Sequence, residues 1–118
     1  MDQKQDYLIF TAWKAGGYGF KTRICDRDKY FKKEWQNAVI ELPKGGSYEE
    51  VVCNISEKSF WKETCHELIK KEIGIWLKTN GYINWPKWHP YKFRAMHLAE
   101  NRFRLVGLVQ ENNEKTFI

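Results

Sequence analysis

"SFWKETCHELIKKEIGIWLKTNGY", Ser59 to Tyr82, is the stretch on which the fold turns. Trp61, Cys65, Leu68, Ile69, Ile73, Trp76 and Leu77 recur at spacings of three and four. That spacing draws one apolar stripe on an amphipathic helix. Lys62, Glu63, Lys70, Lys71 and Lys78 fall on the opposite side. Ser59, or Ser56 before it, is suited to the N-cap, and Glu67 and Lys71 stand four apart as a helical ion pair would. Asn80–Gly81 supplies the stop. Gly74 in the interior costs roughly 1 kcal/mol relative to Ala, and a close crossing of helix over sheet would account for it. The stretch therefore predicts one long helix.

On either side the period changes from helical to two. "YLIFTAW" (7–13) and "YGFKTRIC" (18–25) flank the glycines of "KAGGYG" and read as a β-hairpin. Alternation sends Phe20, Thr22 and Ile24 to one face and Lys21 and Arg23 to the other. "DRDKYFKKEW" (26–35) reads as a short helical turn or an ordered loop. "NAVIELP" and "EEVVCNI" read as a further strand pair around the turn at Pro43–Ser47. After the helix, "YKFRAMHL" and "NRFRLVGLV" alternate again, with His97 to Asn101 as the turn. Tyr91, Phe93, Ala95, Phe103 and Leu105 share the inner face. Lys92, Arg94, Arg102 and Arg104 take the outer one. The polar tail "QENNEKTFI" is expected to fray.

The expected fold is α+β. It is a mostly antiparallel curved sheet or partly closed barrel of about six strands, in the order β-β-β-β-α-β-β, with one long amphipathic helix. At 118 residues the chain reads as a single domain, 1–118. Its 42% apolar and 16% aromatic content can fill a core without disulfides or metals. Cys25, Cys53 and Cys65 are odd in number and lack a CxxC spacing, so they read as buried reduced thiols. Together with a polar N-terminus lacking a signal-peptide pattern, they predict a cytoplasmic protein. No apolar run has the length of a membrane span, so no membrane partner is expected.

The net charge is +5, and its distribution is uneven. Residues 1–59 hold ten Lys and Arg against nine Asp and Glu, whereas residues 60–118 hold ten against six. Lys87, Lys92, Arg94, Arg102 and Arg104 cluster with Glu100 as the one acid among them. A clustered excess of cations points to an anionic partner.

Catalytic patterns are weak. His66, His89 and His97 are dispersed, and Cys65–His66 point about 100° apart on a helix, so no metal is expected. Asp26, Asp28, Glu41 and Lys44 do not have the spacing of a metal-dependent nuclease. His89 or His97 with Arg94 or Arg104 would supply the residue types of a metal-independent ribonuclease toxin. Walker, GxGxxG and serine-elbow sequences are absent. No cofactor is expected, and the balance is against an enzyme.

What remains is "YINWPKWHPYKFR" (82–94), where rings interleave with cations. Cations that follow phosphates and rings that stack on bases are the means of binding single-stranded nucleic acid. Lys87, Trp88, Lys92, Arg94, Arg102 and Arg104 are the expected contacts, extended by Lys21 and Arg23, with Trp85 and Tyr91 as further rings. Of Trp85 and Trp88, one is expected inside and one at least half exposed. The leading expectation is a small non-catalytic nucleic-acid-binding module. The alternatives are a protein-interaction or inhibitor protein of phage or plasmid type that acts on a nucleic-acid enzyme by binding an acidic protein surface, and the small metal-independent ribonuclease toxin.

Overall fold

The computed structural model describes residues 7–63, 66–109 and 114–116. It contains eight strands and two short helices: β1 (Tyr7–Lys14), β2 (Tyr18–Thr22), α1 (Ile24–Tyr30), β3 (Asn37–Lys44), β4 (Ser47–Asn54), β5 (Glu67–Ile69), α2 (Lys71–Thr79), β6 (Lys92–Ala99), β7 (Arg102–Val109) and β8 (Glu114–Thr116). The sheet order is β4-β3-β7-β6-β1-β2-β5, with β8 also pairing β7. Neighbours are antiparallel except β3 and β7, which run parallel over Val39–Glu41 and Arg102–Arg104. The two ends of the order, β4 and β5, come into contact, so the sheet is nearly closed into a barrel.

Period-two alternation builds the interior. Leu8, Phe10 and Ala12 of β1, Phe20 of β2, Ala38, Ile40 and Leu42 of β3, Phe93 and Ala95 of β6, and Phe103 and Leu105 of β7 are all fully buried. Phe10 and Phe20 stack at 5.4 Å, and Phe20 meets Phe93 edge-on at 5.7 Å. The β6–β7 hairpin shifts register twice, between Arg94 and Ala95 and between His97 and Ala99. Such bulges sharpen the local twist and help a sheet curl.

The two helices cover different ends of the barrel. α2 packs Ile73, Trp76 and Leu77 inward, and Trp76 Nε1 donates to the Pro43 carbonyl of β3 at 2.7 Å. Gly74 sits where α2 crosses β2, and a Cβ there would stand 3.2 Å from the Tyr18 Cβ. α2 ends as expected at Asn80. Gly81 has φ 80°, its N–H donates to Lys78 O, and Tyr82 N–H donates to Leu77 O at 2.7 Å. This is a Schellman arrangement, which satisfies the last carbonyls. At the other end, Phe31 after α1 stacks on Phe103 at 4.6 Å and meets Phe60 at 5.3 Å.

The long helix is where the sequence expectation fails. Ser59 to Tyr82 divides into a 3-10 turn (Lys58–Trp61), the strand β5 and the nine-residue α2, whose N-cap is Lys70. Ser59 therefore caps nothing, and Glu67–Lys71 is not a helical pair. Cys65 lies outside the described residues. The cause is a tertiary pairing: β2 has a free edge, and β5 satisfies it through Gly19↔Ile69, Phe20↔Leu68 and Lys21↔Glu67. Gly19 makes the approach possible, because a Cβ there would lie 2.2 Å from the Leu68 carbonyl oxygen. The buried Arg27 of α1 holds the 3-10 turn, donating from Nη1 to the carbonyls of Phe60 (3.0 Å) and Lys62 (2.7 Å). Among the described residues eight strands thus stand where six were expected. Within the tail, residues 114–116 pair with β7 rather than fray.

β5 alternates as a strand: Leu68 is 1% exposed and Ile69 37%. A helical stripe would bury both. Leu68→Ala should cost about 2–5 kcal/mol, and Ile69→Ala less than about 1.5 kcal/mol, by urea unfolding. Equal losses would restore the helical reading.

Cys53 of β4 is buried, and desolvation pushes its thiol up to about 12. Cys25 is exposed, contrary to the expectation of buried thiols. Only the thiolate is nucleophilic, so native protein at mildly alkaline pH should be alkylated at Cys25 and spared at Cys53. Peptide mass mapping that finds both equally modified would contradict the packing of β4 over the core.

Candidate nucleic-acid interface

The outer face of β2, β1 and β6 is where cations and rings meet. Lys92 lies opposite Thr11, and Thr11 opposite Lys21, so these three form one row across three strands. The two lysine backbones are thus roughly 10 Å apart, two strand spacings. Arg94 follows in the next outward position, opposite Ile9, with its guanidinium 4.9 Å from the Tyr7 ring centroid. Lys21 Nζ stands 4.2 Å from the Trp13 ring centroid, a cation–π contact. Glu67 faces Lys21 across the β2–β5 ladder.

Beyond this row the segment after α2 folds over the end of β1. Trp85 is half-buried and meets Tyr18 edge-on at 6.2 Å. Trp88 is 83% exposed, as expected of one of the two rings, whereas Trp85 is only partly buried rather than inside. Trp13, Lys14, Trp85, Lys87, Trp88, Pro90 and Lys92 line one cleft of about 570 Å³. Three indoles and three ammonium groups share it, and among the described residues no carboxylate lines it. Lys87 Nζ lies 5.5 Å from the Trp88 ring centroid.

The expected contacts therefore divide. Lys87, Trp88 and Lys92 come together in the cleft, with Lys21 and Arg94 on the adjoining sheet face. Arg102 and Arg104 share the outer surface but are held by acids from neighbouring strands. Arg102 Nη1 reaches Glu41 Oε2 at 3.1 Å and Glu50 Oε2 at 2.7 Å. Arg104 Nη2 reaches Glu41 Oε1 at 2.7 Å, and its guanidinium lies 4.0 Å from the Tyr48 centroid. Hydrogen bonding to Arg102 holds the Glu50 carboxyl below its ordinary range, and the same contact raises Arg102. Arg23 leaves the sheet altogether. β2 ends at Thr22, and Arg23 pairs with Asp26 in the first turn of α1, Nε to Oδ2 at 2.8 Å.

Sequence reading missed Trp13 and Lys14. The signal was present: Trp13 follows Ile9 and Thr11 on the outward phase of β1, and Lys14 stands at the strand end before the glycine turn. Glu41 and Glu50 were also missed as partners, because the parallel β3–β7 contact leaves no local trace.

Of the histidines weighed for catalysis or for a metal, His97 and His66 are held by the fold. His97 Nε2 contacts the Glu100 carbonyl at 2.7 Å, and its ring lies 5.0 Å from Phe103 and 5.8 Å from Tyr30. His66 is lowered below its ordinary value chiefly by burial, against a bond to the Thr22 carbonyl. Among the described residues no three His, Cys, Asp or Glu side chains gather as metal ligands. No helix there is long and apolar enough to cross a membrane. No family model, curated protein or solved structure matches the chain.

Proposed function

We propose that the protein is a small nucleic-acid-binding module that acts without catalysis. The observation that carries this reading is a cleft, without acids among the described residues, in which Trp13, Trp85 and Trp88 stand among Lys14, Lys87 and Lys92. Ammonium groups without acidic partners are the cations best placed to exchange counterions for phosphates. Lys21 and Arg94 extend the positive face along the sheet. Arg102 and Arg104 contribute less, since a phosphate must compete there with Glu41 and Glu50.

An acidic protein partner is the second reading, and one feature favours it. Tyr18, Ile69, Ile75 and Ile83 line an apolar groove of about 440 Å³ beside α2, edged by Lys70, Lys71 and Lys78. Ile75 is 54% exposed there. Lysines around an apolar floor suit an acidic segment with apolar anchors.

Binding to labelled oligonucleotides across a series of salt concentrations separates the two. Affinity should fall steeply with salt. The double replacement Lys87→Gln, Lys92→Gln should lower the slope by roughly 1–2, whereas Arg102→Gln, Arg104→Gln should lower it less. Absence of binding at low salt would move the acidic-protein reading to the front.

A further inference from the structure

Resting on the nucleic-acid reading, we infer that the ligand of the cleft is an unpaired strand, bound with a base stacked on the Trp88 ring and with little regard to sequence. The backbone at Trp88 is the first observation. His89 N–H donates to the Pro86 carbonyl at 2.9 Å, which closes a turn over Pro86–His89. Trp88 is its third residue and has φ 71°. A positive φ at that place is the habit of glycine, and a bulky side chain there is strained. The turn itself would be better served by glycine.

The ring is the second observation. At 83% exposure it is by far the most exposed large apolar side chain among the described residues. The core does not use it. A strained backbone and an indole in water are both unfavourable, and they coincide on one residue beside three lysines. Strain at a single residue that the packing does not explain points to a role outside the fold.

The lining gives the ligand's class. A duplex keeps the faces of its bases stacked within, so an indole at the tip of a turn has no base face to meet. An unpaired strand offers one at every nucleotide. The cleft, at about 570 Å³, is of the size that holds a small molecule, hence one or two nucleotides rather than the side of a helix. The side chains that line it are indoles, ammonium groups and a proline, so their polar atoms only donate. Among the described residues no side-chain acceptor lines it to read base amino groups, and stacking tolerates every base.

The test uses fluorescence anisotropy at low salt with two probes: an oligothymidylate of about twelve nucleotides and a blunt duplex of about the same length. Trp88→Gly is the informative variant, because it relieves the turn while removing the ring. The wild type should prefer the single strand. Trp88→Gly should weaken strand binding by about five- to a hundred-fold, leave duplex binding within about twofold, and melt at the wild-type temperature or above. Equal binding of both probes with no effect of Trp88→Gly would overturn the inference and leave the nucleic-acid reading standing. Failure of the wild type to bind either probe would overturn both. A clear drop in the melting temperature of Trp88→Gly would show that the fold uses the ring, which also overturns the inference.

Discussion

The structure depends on a ring-filled interior inside a strongly curved sheet. Phe10, Phe20, Phe93 and Phe103 come from four strands and are fully buried. Large rings supply much buried area per residue, which lets a chain of this length fill a nearly closed barrel. Strand alternation then leaves no choice about the rest: if Phe20, Phe93 and Phe103 point in, Lys21, Lys92, Arg94, Arg102 and Arg104 point out. The cationic exterior is a consequence of the aromatic interior. What varies around the outside is which of those cations meets an acid.

That variation comes from topology. β7 has β3 beside it, and β3 brings Glu41 under Arg102 and Arg104, with Glu50 following from β4. β6 has β1 beside it, whose outward side chains opposite Lys92 and Arg94 are Thr11 and Ile9. The β7 side of the hairpin thereby meets acids from neighbouring strands, whereas β1 sets no acid opposite Lys92 or Arg94. Three of the six tryptophans lie on the β6 side, where Trp13 of β1 and the segment carrying Trp85 and Trp88 converge.

Much of this was legible in the sequence. The β6–β7 hairpin, the two N-terminal strands and the β3–β4 pair follow from period-two alternation and glycine turns, which are local signals. The short proline-bounded connection, with Lys87 and His89 among its rings, indicated that one of Trp85 and Trp88 would be exposed but not which. Residues 59–69 were misread because their apolar spacing fits a helix, while the determinant of β5 is the unpaired edge of β2 and the missing Cβ at Gly19, some forty residues earlier. Gly19 was read as the end of a turn and the start of a strand, with no partner foreseen on its other side. The neutralisation of Arg102 and Arg104 was illegible for the same reason: Glu41 reaches them through a parallel contact between strands distant in the chain.

The central proposal is that the outer surface is divided, with the tryptophan–lysine cleft taking an anionic strand and the arginines of β7 already engaged by acids. Two-dimensional ¹H–¹⁵N spectra recorded while oligothymidylate is added at low salt address it directly. The indole N–H signals of Trp13, Trp85 and Trp88 and the amides of Lys14, Lys87 and Lys92 should move together. The Nε–H signals of Arg102 and Arg104 should stay in place. Shifts confined to Ile69, Lys71, Ile75 and Lys78, or a cleft whose signals do not respond, would contradict the account.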